Sequence, residues 1–172
     1  LPREIASILK SGRNTIADHY DQASILFADL VNFTSLSEKM TPSQLVELLN
    51  EVFSHFDTLA EKYGVEKIKT IGDCYMVAAG VPVSRPDHAQ TLTRMALEMR
   101  DHMRDNKFSG LGLVFRFGIN SGSVVAGVIG KKKFIYDLWG DAVNTASRME
   151  SHGSAGAVYV VPGATLLAEA GR

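Results

Sequence analysis

Val65-Glu66-Lys67-Ile68-Lys69-Thr70-Ile71-Gly72-Asp73-Cys74-Tyr75-Met76-Val77-Ala78-Ala79 is two short strand-like runs joined at Gly72-Asp73. A Gly-Asp step between such runs is a hairpin signal, because glycine and aspartate tolerate the backbone of a tight turn. Upstream, Leu45, Leu48, Leu49, Val52, Phe53, Phe56, Leu59, Ala60 and Tyr63 recur at steps of three and four, the period of an amphipathic helix. Thr41 can cap that helix, Pro42 suits its first turn and Gly64 stops it. Before it, Ser24 to Leu30 is a buried-strand candidate, and Val31-Asn32-Phe33-Thr34 turns the chain. After the hairpin, a second helix is expected over about Arg85 to Asp105, with Ala89, Leu92, Met95, Ala96, Met99 and Met103 inward. Strands follow at Leu111 to Asn120 and Val124 to Ile129, around Ser121-Gly122-Ser123, which reads as a turn. Lys131-Lys132-Lys133 reads as a solvated loop. A third helix runs from Gly140 to about Ser151, Ala157 to Val161 is a last strand, and Pro162 opens a final helix. The order β-α-β-β-α-β predicts an α+β, ferredoxin-like core: an antiparallel sheet with helices on one face and additions at the C-terminal end. Residues 1–20 read as an N-terminal helical and linker segment, and residues 21–172 as one domain.

Composition narrows the function. The chain has 172 residues, 45% hydrophobic and 22% charged, with a net charge of −1. That is the make-up of an ordinary globular domain, and its charge gives no footprint for nucleic acid. A single cysteine, Cys74, excludes an internal disulfide framework. No apolar run is long enough to span a bilayer. The chain starts at Leu1, so we expect a piece of a longer protein, with upstream regulatory or membrane segments outside it.

Two aspartates stand where apolar strand patterns stop. Asp29 ends Ser24-Ile25-Leu26-Phe27-Ala28-Asp29, and Asp73 sits in the hairpin turn. In the predicted topology the first strand lies beside the hairpin, so the two can meet at one sheet edge. Singly, each reads as a turn or capping residue. Together they can hold Mg²⁺, which binds through one or two carboxylates plus substrate phosphates. A short helix beginning at Phe33 and Thr34 would offer free backbone N–H groups to a phosphate. Lys69 only donates hydrogen bonds and ionised Asp137 only accepts them. Facing a purine, that pair matches the N1 acceptor and N6 donor of adenine; guanine fits only if the two exchange targets. Without such a context each reads as a solvated charge. Asn144 and Arg148, four apart on the third helix, share a face on which an amide can orient a ribose and a guanidinium can neutralise a phosphoryl group. Arg116 lies in an apolar strand, facing either solvent or phosphates.

Four ordered blocks carry a resemblance. Phe27 to Thr34 (FADLVNFT), Lys67 to Met76 (KIKTIGDCYM), Phe117 to Gly122 (FGINSG) and Tyr136 to Glu150 (YDLWGDAVNTASRME) resemble the signature blocks of class III nucleotide cyclase catalytic domains. The resemblance runs from about Ser24 to the C-terminus. It implies metal binding by Asp29 and Asp73, adenine selection by Lys69 and Asp137, ribose orientation by Asn144, transition-state stabilisation by Arg148 and a phosphate contact by Arg116. Guanylate cyclases of this family typically carry glutamate at the Lys69 position. The resemblance also implies ATP as substrate, two Mg²⁺ or Mn²⁺ ions per active site, and a head-to-tail homodimer with two equivalent sites at its interface. The expected activity is an adenylate cyclase, in a cytoplasmic catalytic domain. A guanylate cyclase and a catalytically idle nucleotide-binding or dimerisation module are the alternatives. One departure stands out. The family usually carries a further phosphate-binding lysine on a late strand, and no lysine occurs from Val158 to Arg172.

Overall fold

The computed structural model describes residues 1–13, 15–105 and 111–160. In chain order the elements are α1 (Arg3–Lys10), β1 (Ala17–Leu30), α2 (Phe33–Glu38), α3 (Pro42–Tyr63), β2 (Glu66–Ile71), β3 (Cys74–Ala79), α4 (His88–Asp105), β4 (Phe115–Ile129), β5 (Ile135–Trp139), α5 (Asp141–Ser151) and β6 (Val158–Val160). The sheet runs β2-β3-β1-β4-β5, and β6 joins β4. β1 lies antiparallel between β3 and β4, and β6 pairs parallel to β4. The α+β class and the β-α-β-β-α-β order therefore hold. The final helix expected from Pro162 lies outside the described residues.

Local chemistry explains the longest helix. Thr41 and Gln44 form a reciprocal capping box, Pro42 opens the first turn, and Gly64 closes the helix in the left-handed region at φ 64°. α4 starts at His88 rather than Arg85, because the Arg85 guanidinium turns back to donate to the Tyr63 and Gly64 carbonyl oxygens at the end of α3.

Helices cover both faces of the sheet, which corrects the one-face expectation. Leu26 and Ala28 of β1 pack with Leu48, Val52 and Phe56 of α3 and with Met95 and Met99 of α4. Ile25 and Phe27 point the other way, to Ile5 of α1 and to Ala142 and Ala146 of α5. Ala23 to Ala28 are consequently all buried, as a central strand with two covered faces must be. Each large apolar side chain so buried contributes about 1.5–3 kcal/mol.

Three strand assignments also differ from expectation. β1 begins at Ala17, crossing the expected boundary at residue 21; its polar start is held by pairing to the far half of β4, Ala17 opposite Gly127. β4 is one continuous strand rather than two, with Ser121 opposite Ser24 and Gly122 opposite Ala23. Gly122 serves packing there, since a Cβ on it would stand 3.1 Å from the Ala142 side chain. Finally, Ile135–Trp139, just after the lysine run, is a strand that pairs with β4.

Candidate active site

The end of the sheet gathers the first group of candidate residues. Asp29 is the last but one residue of β1, opposite Cys74 on one side and Arg116 on the other. The two-residue turn Gly72-Asp73, with Gly72 at φ 60°, sets Asp73 directly before Cys74. Asp29 and Asp73 thus meet, as expected from the topology. Burial, and then the hydrogen bond and charge of Asp29, push the Asp73 carboxyl above the usual carboxylate range. A carboxyl raised by its neighbour in this way stands in a cluster short of positive charge. They present hard oxygen donors, which suit Mg²⁺ or Mn²⁺. Among the described residues no set of three or more His, Cys, Asp or Glu side chains is arranged for a metal. The candidate is therefore a two-carboxylate site, with room for substrate oxygens.

The sequence reading missed a third carboxylate. Glu150 of α5 is 6% exposed. Its Oε1 lies 3.4 Å from Arg116 Nε. Burial, and then the charge and hydrogen bond of Asp29, raise its carboxyl as well. Arg116 is shared three ways: Nη2 donates to Asp29 Oδ2 at 3.2 Å, Nη1 donates to the Ser151 carbonyl at 3.3 Å, and Nε faces Glu150. A signal for Glu150 was present, since Ala142, Ala146 and Glu150 recur at steps of four and form the buried stripe of α5. The Cys74 thiol, in the same surroundings, is pushed up to about 12 by burial and by Asp29, Glu150 and Asp73. It is an inert thiol, as its sequence context suggested.

Lys69 and Asp137 form a second group. Lys69 Nζ donates to Asp137 Oδ2 at 2.7 Å, joining β2 to β5. Asp137 is 7% exposed, and its Oδ1 accepts from the Leu138 N–H at 2.8 Å. A β-bulge makes this possible. Lys67 pairs with Val77 and Lys69 with Met76, leaving Ile68 extra. Residues two apart on a regular strand share a face; the bulge separates them. Lys67 turns to Asp57 on α3, at 3.1 Å, while Lys69 turns to Asp137.

Asn144 and Arg148 form a third group, both exposed on α5. Arg148 Nη2 donates to Thr145 Oγ1 at 3.1 Å. Two contacts seat the helix that carries them. Asn120 Nδ2 donates to the Ala142 carbonyl at 3.0 Å. Gly118 lies so close beneath α5 that a Cβ there would stand 2.2 Å from Glu150 N and 2.6 Å from the Ala146 carbonyl oxygen. No hydrogen bond or ion pair links these three groups among the described residues. Phe33 and Thr34 open α2 behind Asn32, whose φ is 60° and whose side chain makes no cap. The Phe33 ring is partly buried against the main core; Thr34 is exposed. No helix among the described residues is long and apolar enough to cross a membrane.

Comparison with known proteins gives a consistent picture. The family model described as adenylate and guanylate cyclase catalytic domain matches residues 15–170. An adenylate cyclase of Mycobacterium tuberculosis is 49% identical over 164 residues, covering 93% of this chain and 37% of that protein. A guanylate cyclase soluble subunit beta-2 of Rattus norvegicus is 45% identical over 164 residues, covering 94% of this chain and 24% of that protein. The chain thus spans little more than a third of the length of the first and a quarter of the second. Among solved structures, the catalytic core of a rhodopsin-guanylyl cyclase with converted specificity, in complex with ATPalphaS, superposes with a TM-score of 0.84 at 36% identity, over 88% of this chain and 83% of that one. The adenylyl cyclase CyaB from P. aeruginosa superposes with a TM-score of 0.80 at 30% identity, over 90% of this chain and 83% of that one. Relatives of both substrate types stand close.

Proposed function

This chain belongs to the adenylate and guanylate cyclase catalytic-domain family, and from that premise we propose that it is an adenylate cyclase. It converts ATP to 3′,5′-cyclic AMP and pyrophosphate. The observation that carries the choice of ATP is the Lys69–Asp137 pair at 2.7 Å. The pair supports adenine because a donor beside an acceptor matches its N1 and N6 directly and guanine only with exchanged targets, and because guanylate cyclases typically have glutamate at the Lys69 position. A polar pair of this kind can reject the wrong base by up to roughly 10⁴–10⁵-fold.

The remaining roles follow from chemistry. The ribose 3′-oxygen attacks the α-phosphorus, the bond to the bridging oxygen breaks, pyrophosphate leaves, and the 3′-proton passes to solvent. Asp29 and Asp73 would hold divalent cation, two Mg²⁺ or Mn²⁺ ions per site, which would supply the acidification of the 3′-hydroxyl and offset the charge on the leaving group. Arg148 stabilises charge on the α-phosphoryl group, Asn144 orients the ribose, Arg116 meets phosphate, and the backbone N–H groups at Phe33 and Thr34 add donors. The separation of the three groups within one chain supports a homodimer. One protomer supplies Asp29, Asp73 and Arg116; its partner supplies the base pair, Asn144 and Arg148.

The test is direct. The purified chain is incubated with Mn²⁺ and either ATP or GTP, and cyclic product is measured. Cyclic AMP from ATP, in large excess over cyclic GMP from GTP, is expected. Preferred formation of cyclic GMP would overturn the base assignment. Nucleotide binding without any cyclic product would leave a binding module instead of an enzyme.

A further inference from the structure

Glu150 is costly where it sits. A buried carboxylate needs strong donors, yet its Oε1 has no hydrogen-bond partner, and neither has the facing Arg116 Nε. The three contacts of Arg116, at 3.2, 3.3 and 3.4 Å, are all long for charge-assisted bonds. Close packing of α5 on β4 does not require an acid here, because Ala142, Ala146 and Gly118 already make the seam. Asp29, Asp73 and Glu150 face a single guanidinium, and one divalent cation would bring the cluster to neutrality.

Resting on the function proposed above, the geometry points to Glu150 as the positioning residue for Arg116: it retains the guanidinium when a divalent cation takes over Asp29. Before the cation binds, Arg116 is divided between Asp29 and Glu150. A cation at Asp29 competes with and repels the guanidinium. Without a second carboxylate behind it, Arg116 would either compete with the cation or swing away from the phosphates. Glu150 approaches from α5 and gives the arginine a second carboxylate partner besides Asp29. It also ties the end of α5 to the metal-bearing edge of the sheet through the same guanidinium, which reaches the Ser151 carbonyl.

Two readouts test this. The first is titration of nucleotide-free protein with Mn²⁺ alone, followed by calorimetry. Glu150→Gln keeps the volume and is expected to weaken Mn²⁺ by about tenfold, in the range found for residues that support metal ligands, while the metal-free thermal midpoint does not fall. The second is the KM for ATP, which Glu150→Gln should raise in the parent but not in an Arg116→Gln background, as a residue acting through Arg116 must. Mn²⁺ affinity within about twofold of the parent, or additive effects on KM, would overturn the inference and leave the functional reading intact. A parent protein that binds no Mn²⁺ would overturn that reading itself. Should the glutamine variant not fold, Glu150→Asp carries the test. Its Mn²⁺ affinity should fall about threefold as the charge withdraws from Arg116, and affinity equal to the parent would count against the inference.

Discussion

Replacing Gly118 by alanine adds one methyl group where the structure has no space for it. The new Cβ would stand 2.2 Å from Glu150 N, 2.6 Å from the Ala146 carbonyl oxygen and 2.8 Å from the Glu150 Cα. All three are backbone atoms, so no side chain can rotate out of the way. Restoring ordinary contact moves α5 outward by about 1 Å. Overpacking of this kind costs about 1–3 kcal/mol. For a domain of this size that lowers the thermal midpoint by roughly 3–10 °C. The catalytic loss should be larger than the stability loss, because α5 carries Asn144, Arg148 and Glu150. A misplacement of about 1 Å can cost on the order of 10²-fold in rate. Gly112→Ala is the control, since nothing lies within 4 Å of its added Cβ and its φ is ordinary. Thermal melting and cyclic AMP formation are measured on both variants at a temperature where both are folded. If Gly118→Ala melts within about 1 °C of the control and cyclises ATP at the same rate, α5 is not seated as described.

Three other predictions are independent of that one. Asp29→Ala and Arg148→Ala should each be nearly inactive alone, yet recover roughly a quarter of the parental rate when mixed and allowed to exchange subunits, because half of randomly formed dimers are mixed and each has one intact site; no recovery would exclude a shared site. Lys69→Glu should lower the ATP preference by at least tenfold in relative kcat/KM, and unchanged selectivity would remove Lys69 from base recognition. His88 is buried, its Nδ1 within 2.6 Å of Ser24 Oγ, and burial lowers its pKa despite the opposing charge of Asp87, with Arg85 adding to the lowering. The unfolded chain therefore takes up the proton first, so this stabilisation is complete above the ordinary histidine pKa of about 6.5 and is lost as the pH falls through the folded value. Melting temperatures of parent and His88→Gln should accordingly converge as the pH drops from 8 to 5; a constant gap would exclude that linkage.

The helices were legible because their signals are local. Thr41, Pro42 and Gly64 mark α3 by chemistry that acts within one turn. The hairpin was legible for the same reason. The missed strands depend on distant partners. Ala17 to Tyr20 is a polar run without strand alternation and becomes strand because β4 is long enough to pair with it. Ser121-Gly122-Ser123 has turn composition, yet its glycine answers to Ala142 on a helix that folds over it. At the site, pairings set by topology could be anticipated: Asp29 meets Asp73 because strand order brings them together. Helical periodicity puts Glu150 on the buried stripe of α5 but gives no reason to assign a role to a charge there. Lys69 and Asp137 were legible as a donor and an acceptor for one base, whereas their direct contact and the bulge at Ile68 that aims the lysine have no signature in the residues themselves.

The contact between Lys69 and Asp137 has a kinetic side. In the nucleotide-free chain the lysine and the aspartate are already satisfied by each other, across strands from opposite edges of the sheet. If the pair reads the base, as proposed above, an arriving base must first part the two, and recognition is an exchange rather than a simple gain. A base that offers both an acceptor and a donor replaces what it breaks. A base that offers the reverse pattern replaces the pair only if the two side chains exchange targets; otherwise a half-buried ammonium and a buried carboxylate face the wrong groups. On the function proposed above, the closed pair would be parted at least cost by a purine able to stand in for both of its members.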